Sequence, residues 1–181
     1  MRRRTILLAV AAVLAPAGCG ADPQPATPGF NDTDVMFAQM GLEHIRQGEP
    51  VVKLAERRAA DPAVRKLAAE LRGQWRTEAQ TLTGRLTRWG RPLTADPDAG
   101  AHAGHGDLHS LRDSDIAELT AARGEAFDRT ALSLLLGHLH NGVETARMET
   151  AGGSDPEVIN LAAATIRIRQ AQVQQMLTLM A

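Results

Sequence analysis

The chain has 181 residues, 20 basic against 21 acidic, with one cysteine and a 44% hydrophobic content that includes three Phe, two Trp and no Tyr. The near-neutral balance, without a basic patch, argues against nucleic acid as a partner, and a single cysteine rules out an intramolecular disulfide framework. A core that must be built mostly from Leu, Ala, Val and Ile favours close-packed helices.

Residues 1–18 come first, with "MRRRTILLAVAAVLAPAG" combining three arginines, an apolar run over residues 5–15 and small residues after it. This reads as a secretory signal, too short and one-sided to span a membrane permanently. Its end has two readings. Ala15, Pro16 and Ala17 form an ordinary A-x-A cleavage site, while Pro16, Ala17, Gly18 and Cys19 resemble a bacterial lipobox with Pro16 in the usual leucine position. The second reading is preferred, because Cys19 has no disulfide partner and lipidation is its natural use. The expected location is then the extracytoplasmic side of the cell membrane, with Cys19 as the lipid anchor, or the periplasm or medium if Cys19 is not lipidated. Cleavage removes three arginines and no acid, leaving 17 basic residues against 21 acidic and a formal charge of −4. Residues 19–31, rich in Pro, Gly, Ala and Thr, read as a flexible tether.

Residues 32–181 are predicted to form one all-α domain, a four-helix bundle of two repeated hairpins, residues 32–90 and 113–181, joined by a linker over residues 91–112. The first helix starts at Asn31, Asp32 and Thr33 and carries the stripe Val35, Met36, Met40, Ile45, Val52, Leu54 and Ala55. Asp61 followed by Pro62 is an N-cap with proline at the first helical position. The helix it opens runs through Leu67, Leu71, Trp75 and Leu82 to Trp89, where Gly90 and Pro92 stop it. A third begins near Ser114, with Gly124 as a candidate break, and continues to Ala151. Asp155 and Pro156 open the fourth.

The two Asp-Pro starts lie 94 residues apart, and the same offset relates Asp34 to Asp128, His44 to His138, Val64 to Val158, Leu67 to Leu161, Ala68 to Ala162 and Leu82 to Met176. Two such hairpins, neither able to bury its own apolar face, pack as a bundle with approximate two-fold symmetry. The offset also sorts the histidines of "GHLHNGVETA". An i,i+2 pair on a helix points to nearly opposite faces, so His138, the mate of His44, faces inward, whereas His140, opposite Arg46, faces solvent.

The segments "DVMFAQMGLEH", "ADPAVRKLAAEL", "TEAQTLTGRLTRWG", "ARGEAFDRTALSLLLGHLHNGVETA" and "SDPEVINLAA" resemble the ferritin-like proteins of domain of unknown function 305, which include cyanobacterial periplasmic copper-binding proteins. The resemblance spans roughly residues 32–181 and implies a helical bundle with copper as a candidate ligand. Family members usually carry Pro-His-His followed by Met-Ala in each repeat. Here the corresponding residues are Glu43, His44 and Ile45, and Gly137, His138 and Leu139, with Val51 and Val52, and Thr145 and Ala146, in place of Met-Ala.

The candidate metal ligands are therefore His44, His138 and Met40, which shares the face of His44 at i−4, with Met36 extending the stripe. Thioether and imidazole together suit cuprous ion. The competing account makes the methionines core fillers and gives each histidine a hydrogen-bond partner across the bundle, with Glu78 and its mate Gln172 available. It carries more weight, since fewer than four ligands can be named. His102, His105 and His109 in the linker form a second candidate collector of copper, zinc or nickel, or are incidental residues of a hydrophilic connection. No Glu-x-x-His, CxxC or phosphate loop occurs, so no enzyme is expected. The functional expectation is a lipid-anchored protein binding copper or another late transition metal in the cell envelope. The alternative is a non-catalytic envelope interaction module that has lost its metal.

Overall fold

The computed structural model describes residues 29–94 and 111–181, and among these every regular element is helical. The expected signal peptide, Cys19 and most of the expected tether lie outside the described residues, as do the linker histidines His102, His105 and His109. The helices are α1 (Asp32–Arg58), α2 (Pro62–Arg88), α3 (Asp113–Ala121), α4 (Gly124–Gly152) and α5 (Pro156–Met180). Four long helices make the bundle, and α3 is a short addition.

The local signals explain most boundaries. Asn31 caps α1 by accepting from the N–H groups of Thr33 and Asp34, and Asp34 reaches back to the Asn31 N–H in a capping box. Asp61 and Asp155 cap α2 and α5, each followed by proline at the first helical position. Gly90 ends α2 at φ +64, with its N–H on the Thr87 carbonyl and the Arg91 N–H on the Leu86 carbonyl. This is a Schellman motif, and the left-handed conformation explains the glycine.

The expected third helix is two helices. α3 stops at Ala121 and the chain restarts at Gly124, whose φ of +55 cannot continue a right-handed helix. The carbonyls freed by the break are taken by arginines: Arg123 donates to Thr120, Ala121 and Ala122, and Arg58 from α1 donates to Thr120 and Ala122. The break therefore leaves these backbone acceptors satisfied.

α1 packs against both α2 and α4, and α4 against α5, while α2 and α5 meet only sparsely. The repeat is visible in the hydrogen bonds joining the hairpins. Asp34 of α1 accepts from the N–H groups of Ser154 and Asp155 in the second hairpin turn. Asp128 of α4 accepts from those of Ala60 and Asp61 in the first turn, at 2.8 and 2.7 Å. These are the same bonds displaced by 94 residues, so each hairpin closes the turn of the other.

The core has two apolar clusters. One contains Val51, Val52, Leu67, Leu71, Trp75, Leu132, Leu135, Leu139 and Met176. The other contains Phe37, Ala38, Leu82, Leu86, Ala146, Val158 and Ala162. On α1 the change from one cluster to the other falls at His44, on α2 near Glu78, on α4 between Leu139 and Ala146, and on α5 at Arg169 and Gln172. A polar layer thus divides the core, and the repeat-related histidines belong to it.

Candidate functional site

His44 and His138 come together between α1 and α4. Their rings stack with centroids 3.6 Å apart and planes within 3° of parallel. Trp75 stands edge-on to both, its centroid 6.3 Å from His44 and 5.7 Å from His138. His138 is 1% exposed. His44 is half-buried as a residue, although its Nε2 is sealed from solvent.

Two glycines make this approach possible. A Cβ on Gly48 would lie 2.5 Å from both His138 Nε2 and the Trp75 ring. A Cβ on Gly142 would lie 2.9 Å from His44 Nε2 and would also collide with Arg169. Gly48 and Gly142 are 94 residues apart, so each histidine rests on the bare Cα of the other repeat. The offset that pairs the histidines also pairs these glycines, a signal in the sequence that helical periodicity alone does not single out.

The hydrogen bonds define what the rings have to offer. His138 Nε2 lies 3.0 Å from the backbone carbonyl of His44. A carbonyl only accepts, so Nε2 carries the hydrogen and Nδ1 keeps its lone pair. That Nδ1 is buried without a partner, as are His44 Nε2 and Trp75 Nε1. The expected partners of the histidines are engaged elsewhere. Glu78 takes Arg169 at 2.9 and 3.1 Å, and Gln172 donates to Gln74 at 2.7 Å. The reason lies in the repeat: the mate of Trp75 is Arg169, and a buried guanidinium requires a carboxylate more strongly than a neutral imidazole does.

Both rings are held neutral. Burial, followed by the positive charge of Arg169, pushes His138 down to about 4. Burial, followed by the nearby His138 and Arg169, keeps His44 well below the usual histidine range. Neutral imidazoles with free lone pairs are the form that binds metals. The stack limits how they do so. A metal lies in the plane of its ligating imidazole at about 2.0 Å, and one ion cannot lie in two parallel planes 3.6 Å apart. The nitrogens fit a soft ion individually, but they do not fit it as a chelate shared by the stacked rings.

The other candidates are placed as follows. Met40 is half-buried one turn before His44, on the same face. Met36, also half-buried, is eight residues from His44, about 12 Å along the axis, too far to share an ion with it. His140 is exposed. Among the described residues no group of three or more His, Cys, Asp or Glu side chains is arranged to hold a metal. A groove of about 280 Å³ between α2 and α5, lined by Trp75, Glu78 and Arg169, reaches the polar layer where those helices part.

Fold and site together define an all-helical, internally duplicated bundle with a histidine pair at its repeat interface. The chain belongs to the family described as domain of unknown function 305, whose model matches residues 34–180. Among solved structures it is similar to a DUF305 protein from Streptomyces coelicolor, at 21% identity over 81% of this chain and 89% of that one, with a TM-score of 0.74. A DUF305 fragment from Deinococcus radiodurans matches at 24% identity over 86% and 97%, with a TM-score of 0.71. CopM in its Cu(II)-bound form matches at 22% identity over 80% and 93%, with a TM-score of 0.66. The search of curated proteins finds no match.

Two predictions follow from this geometry. Gly48→Ala should destabilise the protein by about 2–4 kcal/mol in urea unfolding, because the added methyl must displace the buried rings of His138 and Trp75. The second concerns acid. A histidine whose folded pKa is depressed contributes stability that is present above the unfolded value of 6.5 and is lost as pH falls toward 4. Measured against His138→Gln in thermal unfolding, the wild type should therefore lose about 3 kcal/mol over that window.

Proposed function

We propose that this protein is a non-catalytic, soft-metal-binding module of the cell envelope, secreted and anchored to the membrane through a lipidated Cys19, with copper as its candidate metal. The observation that carries the reading is the pair of buried, unpartnered nitrogens, His44 Nε2 and His138 Nδ1, on two neutral rings. Buried polar atoms ordinarily have partners, and two orphans on repeat-related side chains point to a ligand. Met40 supplies a thioether on the same face as His44, and imidazole with thioether selects monovalent copper. The Arg169 guanidinium beside the histidines favours the same choice, since it repels a monovalent ion half as strongly as a divalent one. CopM, with Cu(II)-, Cu(I)- and silver-bound forms, adds support. His102, His105 and His109 stand as a second collecting group.

The second reading is a structural envelope interaction module without metal. It is favoured by the ring stack and by the bond from His138 Nε2 to the His44 carbonyl, which together make the pair a packing device.

Calorimetric titration of the purified protein with Cu(I) separates the two. The metal reading expects binding at micromolar affinity or tighter, roughly 8 kcal/mol or more. It also expects binding to be lost in His44→Gln/His138→Gln while unfolding shows the fold retained. Loss only on replacement of His102, His105 and His109 moves the site to the linker and leaves the core pair structural, and His140→Ala should change nothing. Absence of binding by the wild type overturns the metal reading in favour of the interaction module. For the anchor, Cys19→Ala should move the protein from the membrane fraction to the soluble one, because acylation at that sulfur provides the attachment. Unchanged fractionation would refute lipidation there.

A further inference from the structure

A second buried polar cluster lies where α1 begins and α4 turns into α5, and it plays no part in the histidine layer. Asp34 is fully buried, and its carboxylate accepts from the N–H groups of Asn31 at 2.6 Å, Ser154 at 3.1 Å and Asp155 at 2.9 Å. Glu149 lies against it. Glu149 is also fully buried, and neither of its carboxyl oxygens has a hydrogen-bond donor.

The first repeat provides an internal control. Asp128 closes the α1–α2 turn as Asp34 closes the α4–α5 turn, yet the mate of Glu149 is Ala55 and the mate of Gly153 is Ala59. A Cβ on Gly153 would run into Glu149 Oε1. One turn thus carries two alanines, and the other carries a glutamate with a glycine that makes room for its carboxyl. A turn of this kind forms without the acid, so Glu149 is an addition to it and not a requirement.

A metal cation does not suit this cluster. The Asp34 oxygens are already taken by backbone N–H groups. Asp155 is divided between its cap bonds and Arg85, and Arg85 is also paired with Glu157. A proton does suit it, because a protonated Glu149 donates its O–H to Asp34 and both carboxyls are then accommodated.

We infer that Glu149 is a proton-binding site, occupied at neutral pH, whose deprotonation loosens the α4–α5 turn from the start of α1 and makes this end of the bundle an alkali-sensitive latch. The charged groups facing Glu149 are Asp34 from α1 and Asp155 at the head of α5, with Arg85 of α2 committed to Asp155 and Glu157. Burial, then the hydrogen bond to Asp34 and the charges of Asp34 and Asp155, push Glu149 up to about 8. A carboxyl raised in this way contributes stability that is complete below its unfolded value of 4.5 and is lost as pH rises toward 8. The histidine effect acts on the acid side, below about pH 7, so a decline between pH 7 and 9 belongs to Glu149. The inference does not depend on metal binding.

The test is thermal unfolding of the full-length protein in metal-free buffer across that range, with hydrogen exchange at Ser154 and Asp155 expressed as protection factors. The wild type should lose roughly 5 °C between pH 7 and 9 and lose protection at those two amides. Glu149→Gln keeps a neutral donor of the same shape, so it should be flat over this range, hold its protection and retain the acid-side loss due to the histidines. Should Glu149→Gln fail to fold, Glu149→Ala, with the residue type the first repeat uses, is expected to be equally flat. A wild type with no alkaline decline, or variants that decline in parallel with it, would overturn the proposal.

Discussion

The approach of α1 to α4 at two bare Cα positions is the constraint on which the rest of the structure depends. With no Cβ at Gly48 or Gly142, each helix admits the histidine of the other repeat, and the two rings meet face to face at 3.6 Å. Stacking at that separation leaves no room for a hydration shell and little for two positive charges, which is why both rings are neutral. The same proximity brings the His44 carbonyl within reach of His138 Nε2 and so selects the tautomer. Helix packing, protonation and the donor atoms left free are therefore consequences of one contact.

Around that contact the two repeats have diverged in an electrostatically coupled way. Arg169 stands where the symmetry would place a second tryptophan, and its burial is compensated by Glu78, whose own mate is the neutral Gln172. One substitution in the second hairpin is answered by a charge retained in the first. At the end of the bundle the same logic runs within a single turn, where Glu149 and Gly153 replace Ala55 and Ala59. The duplication supplies the frame. The chemistry lies where the copies differ, because an unmatched polar group inside a core has to find a partner or give up its charge.

The relation between stability and ligand binding at the histidine layer turns on the same economy of partners. The stack and the carbonyl bond satisfy one nitrogen of His138 and leave its other nitrogen, together with His44 Nε2, unpartnered. A well-packed pair with unused lone pairs serves equally as a rigid seam and as a reservoir of donor atoms. What distinguishes those roles is whether the rings leave the stack when an ion arrives, and the sparse α2–α5 contact puts the looser side of the bundle next to Trp75 and Arg169.

Much of the fold was legible in the residues. Asp61 with Pro62 and Asp155 with Pro156 mark helix starts through backbone chemistry that acts within a few positions, and the offset of 94 residues chooses His138 over His140 because helical periodicity fixes which side chains share a face. The break at Gly124 was marked by its glycine, but whether the chain breaks there depends on Arg58 and Arg123 collecting the freed carbonyls, and Arg58 belongs to another helix. The candidate site was legible only as a pair of facing histidines. Their parallel stacking, the tautomer of His138, the diversion of Glu78 to Arg169 and the proton shared by Glu149 and Asp34 arise from distances between separate helices. Periodicity along one helix determines the direction a side chain takes; what it meets there, and therefore its charge, is decided only when the second hairpin closes against the first.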